Sequence, residues 1–158
     1  MRRFVLIDGP SGSGKTTFAG ELSRETGLTV VHLDDFYPGW YGLLAASKMV
    51  AEDVLHPSRP GFRRWDWEKN EPGEWVALDP DASYIIEGVG AVTSRNIAAA
   101  RALGDVRTFR IEADAGERKR RALARDPGFA RWWQVWAEQE DRYYAGPGAV
   151  EADEVIRS

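Results

Sequence analysis

Two rhythms of apolar and polar positions run along this chain. Five short runs, at 3–8, 29–33, 83–87, 106–111 and about 153–157, are mostly apolar enough to be buried strands of a parallel sheet. Most of them are separated by stretches at 14–26, about 40–55, 92–103, 114–125 and 129–144, where apolar residues return every three or four positions as on one face of a helix. Along 14–26 that face is made by Phe18 and Leu22 with Ala19 and Gly20 beside them, and Gly27 is placed to stop the helix. Strand and helix in alternation predict an α/β domain of three layers, with a five-stranded, mostly parallel sheet.

One stretch breaks the alternation. His56-Pro57-Ser58-Arg59-Pro60-Gly61 reads as a loop, and Trp65-Asp66-Trp67 and Trp75-Val76-Ala77-Leu78 flank Asn70-Glu71-Pro72-Gly73-Glu74. The pattern predicts a β-hairpin insert over about 62–79, turning at Pro72-Gly73. No internal repeat or low-complexity segment is present. At 158 residues the chain is long enough for one full core and short for two, so residues 1–158 are expected to form a single domain.

Composition narrows the function classes. Without cysteine, disulfides, thiolate metal sites and cysteine nucleophiles are excluded. A net charge of −4 argues against a general nucleic-acid binder. The basic residues are nonetheless clustered, in Arg118-Lys119-Arg120-Arg121 with Arg125, which points to an anionic ligand. No apolar stretch approaches a membrane span, and Arg2-Arg3 leads straight into a strand rather than a signal peptide. A cytoplasmic protein with no membrane or nucleic-acid partner is expected. Oligomeric state is not legible.

The strongest chemical signal is Gly9-Pro10-Ser11-Gly12-Ser13-Gly14-Lys15-Thr16, which fits the phosphate-loop pattern G-x-x-x-x-G-K-[ST] directly after the apolar run Phe4-Val5-Leu6-Ile7. A loop that wraps phosphate oxygens must turn its backbone N–H groups inward, and glycines at 9, 12 and 14 permit that. Lys15 supplies a mobile cation for β and γ oxygens, Thr16 a hydroxyl for Mg²⁺, and the following helix aims its positive end at the same anion. The segment Gly9, Ser11, Gly12, Ser13, Gly14, Lys15, Thr16 and Thr17 is therefore the expected nucleotide site, for ATP or GTP with Mg²⁺.

Ligands of open parallel sheets bind where the strands end. After Leu33 come Asp34-Asp35-Phe36-Tyr37, where a carboxylate could take a substrate hydroxyl proton, hold Mg²⁺ through water, or only cap the next helix. Ile85-Ile86-Glu87-Gly88 ends a strand in an acid at the position of a metal-linked carboxylate. Arg118, Arg121 and Arg125 share a helix face that could close over triphosphate oxygens, or be a solvated face paired with Glu117 and Asp126. Of seven tryptophans, Trp40, Trp65 and Trp67 lie toward the expected substrate side, whereas Trp132, Trp133 and Trp136 read as packing residues. His32 and His56 are isolated in sequence and carry no metal or triad reading.

In order and approximate spacing, Gly9–Thr17, Asp34-Asp35-Phe36-Tyr37, Trp65-Asp66-Trp67, Ile86-Glu87-Gly88 and Arg121–Asp126 resemble the uridine kinase family of P-loop nucleoside kinases, over roughly residues 3 to 145. The resemblance implies a P-loop NTPase fold like that of nucleoside-monophosphate kinases, with a lid at about 118–131. It implies transfer of a nucleotide γ-phosphoryl group to a nucleoside 5′-hydroxyl. Lys15, Asp34, Arg121 and Arg125 then match catalytic positions, with Asp34 taking the hydroxyl's proton and Arg131 a further lid-edge candidate. Asp35, Tyr37, Trp65, Asp66 and Trp67 match the substrate side, and Thr16, Glu87 and Asp34 the surroundings of Mg²⁺. Two departures concern the acceptor. The stretch between Tyr37 and Trp65 is shorter than in typical uridine kinases and lacks the acidic helix that grips the ribose, leaving Asp53 or Asp66 as stand-ins. The segment Glu68-Lys69-Asn70-Glu71 lacks the histidine found beside the base. A kinase for another hydroxyl compound, such as a sugar, a pantothenate-like molecule or a vitamin precursor, and a non-catalytic nucleotide-binding module both stay open. A GTPase switch is disfavoured, as no Asn-Lys-x-Asp signature occurs.

Overall fold

The computed structural model describes residues 1–158. Strand β1 (Arg3–Asp8) enters the phosphate loop and helix α1 (Lys15–Thr26), and β2 (Thr29–His32) leads through a short 3-10 turn (Leu33–Asp35) to α2 (Leu43–Met49), which runs on as a π-turn over Val50–Val54. The hairpin β3 (Gly61–Asp66) and β4 (Glu71–Ala77) follows, then β5 (Tyr84–Glu87), α3 (Ser94–Arg101), β6 (Asp105–Glu112) and α4 (Ala115–Arg125). A 3-10 turn (Pro127–Arg131), α5 (Trp133–Ala145) and β7 (Glu154–Arg157) complete the order.

The main sheet has the order β2-β5-β1-β6-β7, every pair parallel. Burial on both faces explains why the inner strands β1 and β5 read as apolar runs rather than strict alternation, while the edge strand β7 is largely exposed. In β1, Phe4 and Leu6 join the larger core with Leu43, Val50 and Trp136, while Ile7 turns to a smaller core with Ala19, Ile85 and Phe109. Helix α1 covers the smaller core, and α2, α3 and α5 contribute to the larger one. Each fully buried Leu, Ile or Phe contributes roughly 1.5–3 kcal/mol. Helix α1 ends where expected, the Gly27 N–H returning to the Ser23 carbonyl at 2.8 Å.

The hairpin forms, but it does not turn at Pro72-Gly73. Those residues lie within β4, Pro72 opposite Trp65, and the chain reverses over Trp67–Asn70 with Asn70 at φ 53°. Asp66 decides this: its carboxylate accepts the amides of Glu68 and Lys69, both at 3.0 Å, which closes the turn four residues earlier than Pro-Gly would. Phe62 anchors the hairpin in the larger core against Phe36, the rings 5.2 Å apart.

Candidate functional site

The phosphate loop is held from outside by its carbonyls. Arg118 donates to the Ser11 carbonyl at 3.3 Å, Arg121 to that of Gly12 at 3.4 Å, and the Ser158 hydroxyl to that of Ser13. Carbonyls drawn outward leave the amides of Gly12, Gly14, Lys15, Thr16 and Thr17 without any partner in the protein. Consecutive free N–H groups at a helix start make an anion cradle. Gly12 is required for it, since at φ 78° an added Cβ would fall onto the backbone of Arg118.

Two buried carboxylates that sequence reasoning passed over support this loop. Asp8, 3 % exposed, accepts from the amides of Gly9, Gly90 and Val92 and from the hydroxyls of Tyr143 and Tyr144, tying β1, the loop after β5 and α5 together. Glu140 of α5 accepts the Ser11 amide at 2.7 Å, and burial pushes its carboxyl up despite that hydrogen bond and the charge of Lys15. Nothing local in the sequence marks either residue, because apart from the Gly9 amide their partners lie more than 80 positions away.

A cavity of about 460 Å³ opens beside the loop. Ser11, Lys15, Thr16, Asp34, Arg125 and Asp126 line its polar end, and Tyr37, Trp40, Trp67, Val89, Phe129 and Trp136 its apolar end. Asp34 reaches it from the 3-10 turn after β2, as strand-end placement predicts, and its carboxylate caps no helix. It is open to the cavity yet hemmed by protein. Desolvation raises its pKa, the charges of Lys15 and Arg125 oppose that rise, and Glu87 adds to it. The Tyr37 hydroxyl is engaged by the Val89 carbonyl at 2.8 Å, so Tyr37 serves as wall rather than hydrogen-bonding group. The Trp67 indole N–H donates to the Asp34 carbonyl at 3.1 Å, pinning the hairpin to the acidic turn.

The aromatic end is built around Trp40. Its ring stacks on Trp132 at 5.6 Å and 8° and meets Trp67, Phe129 and Trp136 at tilted or edge angles. Trp136, which helical spacing assigns to packing, thus also faces the cavity, together with Phe129.

Several expected site residues stand elsewhere. Trp65 lies behind Trp40 in an outer hollow with Pro38, Tyr41 and Asn70. Asp66 closes the hairpin turn, Asp35 faces Arg64 at 3.6 Å, and Asp53 sits in the π-turn, none of them on the cavity wall. Of the basic run, only Arg125 lines this cavity. Arg121 is tied to Glu117, the Gly12 carbonyl and Ser158, and borders a separate hollow of about 400 Å³ with Gly14, Thr17, Phe18 and Ile156.

Glu87 ends β5 beneath the loop, 2 % exposed. Its Oε1 accepts from Thr16 Oγ1 at 3.2 Å and lies 2.6 Å from His32 Nδ1, while Oε2 is buried with no partner. No group of three or more His, Asp or Glu side chains forms a metal cage. A hydroxyl and one carboxylate beside a phosphate cradle suit Mg²⁺, which takes few protein ligands and keeps water and phosphate oxygens.

No protein-family model matches the sequence, and no curated protein matches it. Solved structures do resemble the fold. A sugar kinase from Janibacter sp. HTCC2649 aligns with a TM-score of 0.58 at 23 % identity, over 100 % of this chain and 85 % of that one. A possible uridine kinase from Bacillus stearothermophilus aligns with a TM-score of 0.53 at 22 % identity, over 98 % and 88 %. Shikimate kinase from Acinetobacter baumannii, in complex with shikimate, aligns with a TM-score of 0.54 at 15 % identity, over 100 % and 84 %. The chain has the fold of the P-loop kinases: α/β, with a five-stranded parallel sheet and a small antiparallel hairpin.

Proposed function

We propose that this protein is an ATP-dependent small-molecule kinase whose acceptor is a nucleoside or a similar alcohol carrying a flat ring. One observation carries the reading: the Asp34 carboxylate stands in the wall of a single cavity with the phosphate loop at one end and an aromatic chamber at the other. A pure nucleotide switch has no use for that second chamber.

In this reading the triphosphate lies on the free amides of Gly12 to Thr17 with Lys15 beside its terminal oxygens, and the nucleotide base extends toward the hollow bordered by Thr17, Phe18 and Arg121. Thr16 and Glu87 would hold Mg²⁺, which when bound neutralises charge on the phosphate oxygens. The acceptor ring lies against Trp40, Trp67 and Trp136, presenting its hydroxyl to Asp34. The hydroxyl oxygen bonds to the γ-phosphorus, the bond from that phosphorus to the bridging β–γ oxygen breaks, and the proton passes to Asp34. Arg125, on the segment proposed as a lid, spreads positive charge over the transferring group. Catalysis rests on positioning and charge, with no covalent intermediate.

Nucleotide consumption with ATP and Mg²⁺ across nucleosides, sugars and vitamin precursors tests this, with Lys15→Ala and Asp34→Asn in parallel. Uridine- or cytidine-dependent turnover lost in both variants supports it. Turnover with a sugar or other non-aromatic alcohol alone removes the nucleoside acceptor and leaves the kinase. ATP binding with no acceptor-stimulated turnover favours a non-catalytic module.

A further inference from the structure

We propose that His32 is a positioning residue for the Glu87 carboxylate, setting which of its two oxygens is presented to the metal–nucleotide complex; this rests on the reading that Thr16 and Glu87 serve such a complex. The parallel register of β2 and β5 places His32 directly beside Glu87, both at the last residue of their strands. His32 Nδ1 is 2.6 Å from Glu87 Oε1, and Thr16 Oγ1 donates to the same oxygen at 3.2 Å. The other oxygen, Oε2, is buried and bonded to nothing. An oxygen that carries two hydrogen bonds has both lone pairs engaged, whereas a bare one keeps both for a metal or its water, and a carboxylate anchored at neither oxygen could rotate about its last torsion. Here one oxygen is anchored twice and its neighbour left bare. His32 makes no other side-chain hydrogen bond, so Glu87 is its one polar commitment.

Groups that orient a metal carboxylate typically change metal affinity by roughly 10–100-fold when removed. The experiment uses the full chain, Mn²⁺ in place of Mg²⁺ and a non-hydrolysable ATP analogue, with Mn²⁺ binding read by electron paramagnetic resonance and metal-free analogue binding by calorimetry. For His32→Ala the expected result is Mn²⁺ affinity in the ternary complex weaker by about 10-fold or more, with metal-free analogue affinity unchanged. His32→Asn, whose amide can donate where Nδ1 stands, is expected to recover most of the loss. Wild-type Mn²⁺ affinity in His32→Ala overturns the proposal, and so does equal loss of metal-free binding, which would make His32 a residue of the fold only. If the wild-type chain itself fails to bind Mn²⁺ with the analogue, the kinase reading falls and takes this proposal with it.

Discussion

Crowding by protein and nearby charge act against one another on Asp34, whose side chain is itself exposed in the cavity wall. Desolvation raises its carboxyl above the usual aspartate value, and Lys15 and Arg125 oppose the rise. A raised folded-state pKa contributes stability below the unfolded value, and that contribution is lost as pH rises through the folded one. Because solvent screens an exposed side chain, Asp34→Asn should melt only slightly above the wild type at pH 7, the gap closing as the medium is acidified. The same variant should lose about 10²–10⁴-fold in kcat, the range general-base catalysis supplies. Calorimetry and steady-state kinetics on one preparation check both. Asp8 is the opposite case, a buried carboxylate with five donors. Asp8→Ala strands those donors and should cost about 3 kcal/mol or more in urea unfolding. Asp34 is legible from its place after an apolar run. Asp8 and Glu140 are not, because a buried acid is recognised by donors that only folding brings to it.

Among the elements, the phosphate loop depends on its neighbours more than its own sequence suggests. Helix α4 supplies Arg118 and Arg121 to its outer carbonyls, and α5 supplies Glu140 to its Ser11 amide. Glu140→Ala would leave that buried amide unpaired, and a loss of about 1.5–3 kcal/mol in chemical denaturation is expected. Gly88→Ala tests the loop after β5: at φ 154° the new methyl would meet Leu33 Cβ at 2.5 Å and Tyr37 Oη at 3.0 Å. Destabilisation of about 1–3 kcal/mol follows, with tryptophan fluorescence reporting any shift of the Tyr37–Trp136 wall. Helix and strand positions are legible because their periods are local. The hairpin turn is not: Pro72-Gly73 and the Asx-type closure at Asp66 compete, and the carboxylate's two hydrogen bonds to backbone amides decide it.

For the molecule as a whole, the site is a meeting of distant segments, so ligand binding should be felt in global stability. If the phosphate loop holds Mg²⁺ and ATP, saturation at 100 times Kd adds about 2.7 kcal/mol, or roughly 5–10 °C in Tm for a chain of this length. Lys15→Ala should abolish that rise in a thermal-shift titration while leaving the ligand-free Tm close to the wild type. The amino-acid order alone determined the alternation of strand and helix, the phosphate loop and the acids at the strand ends, since each is written in neighbouring residues with a fixed period or spacing. Which tryptophans face the cavity, which arginine reaches it, and why His32 touches Glu87 depend on strand register and helix packing. Those are set by burial of both sheet faces at once, and a local stretch of chain holds no record of that collective balance.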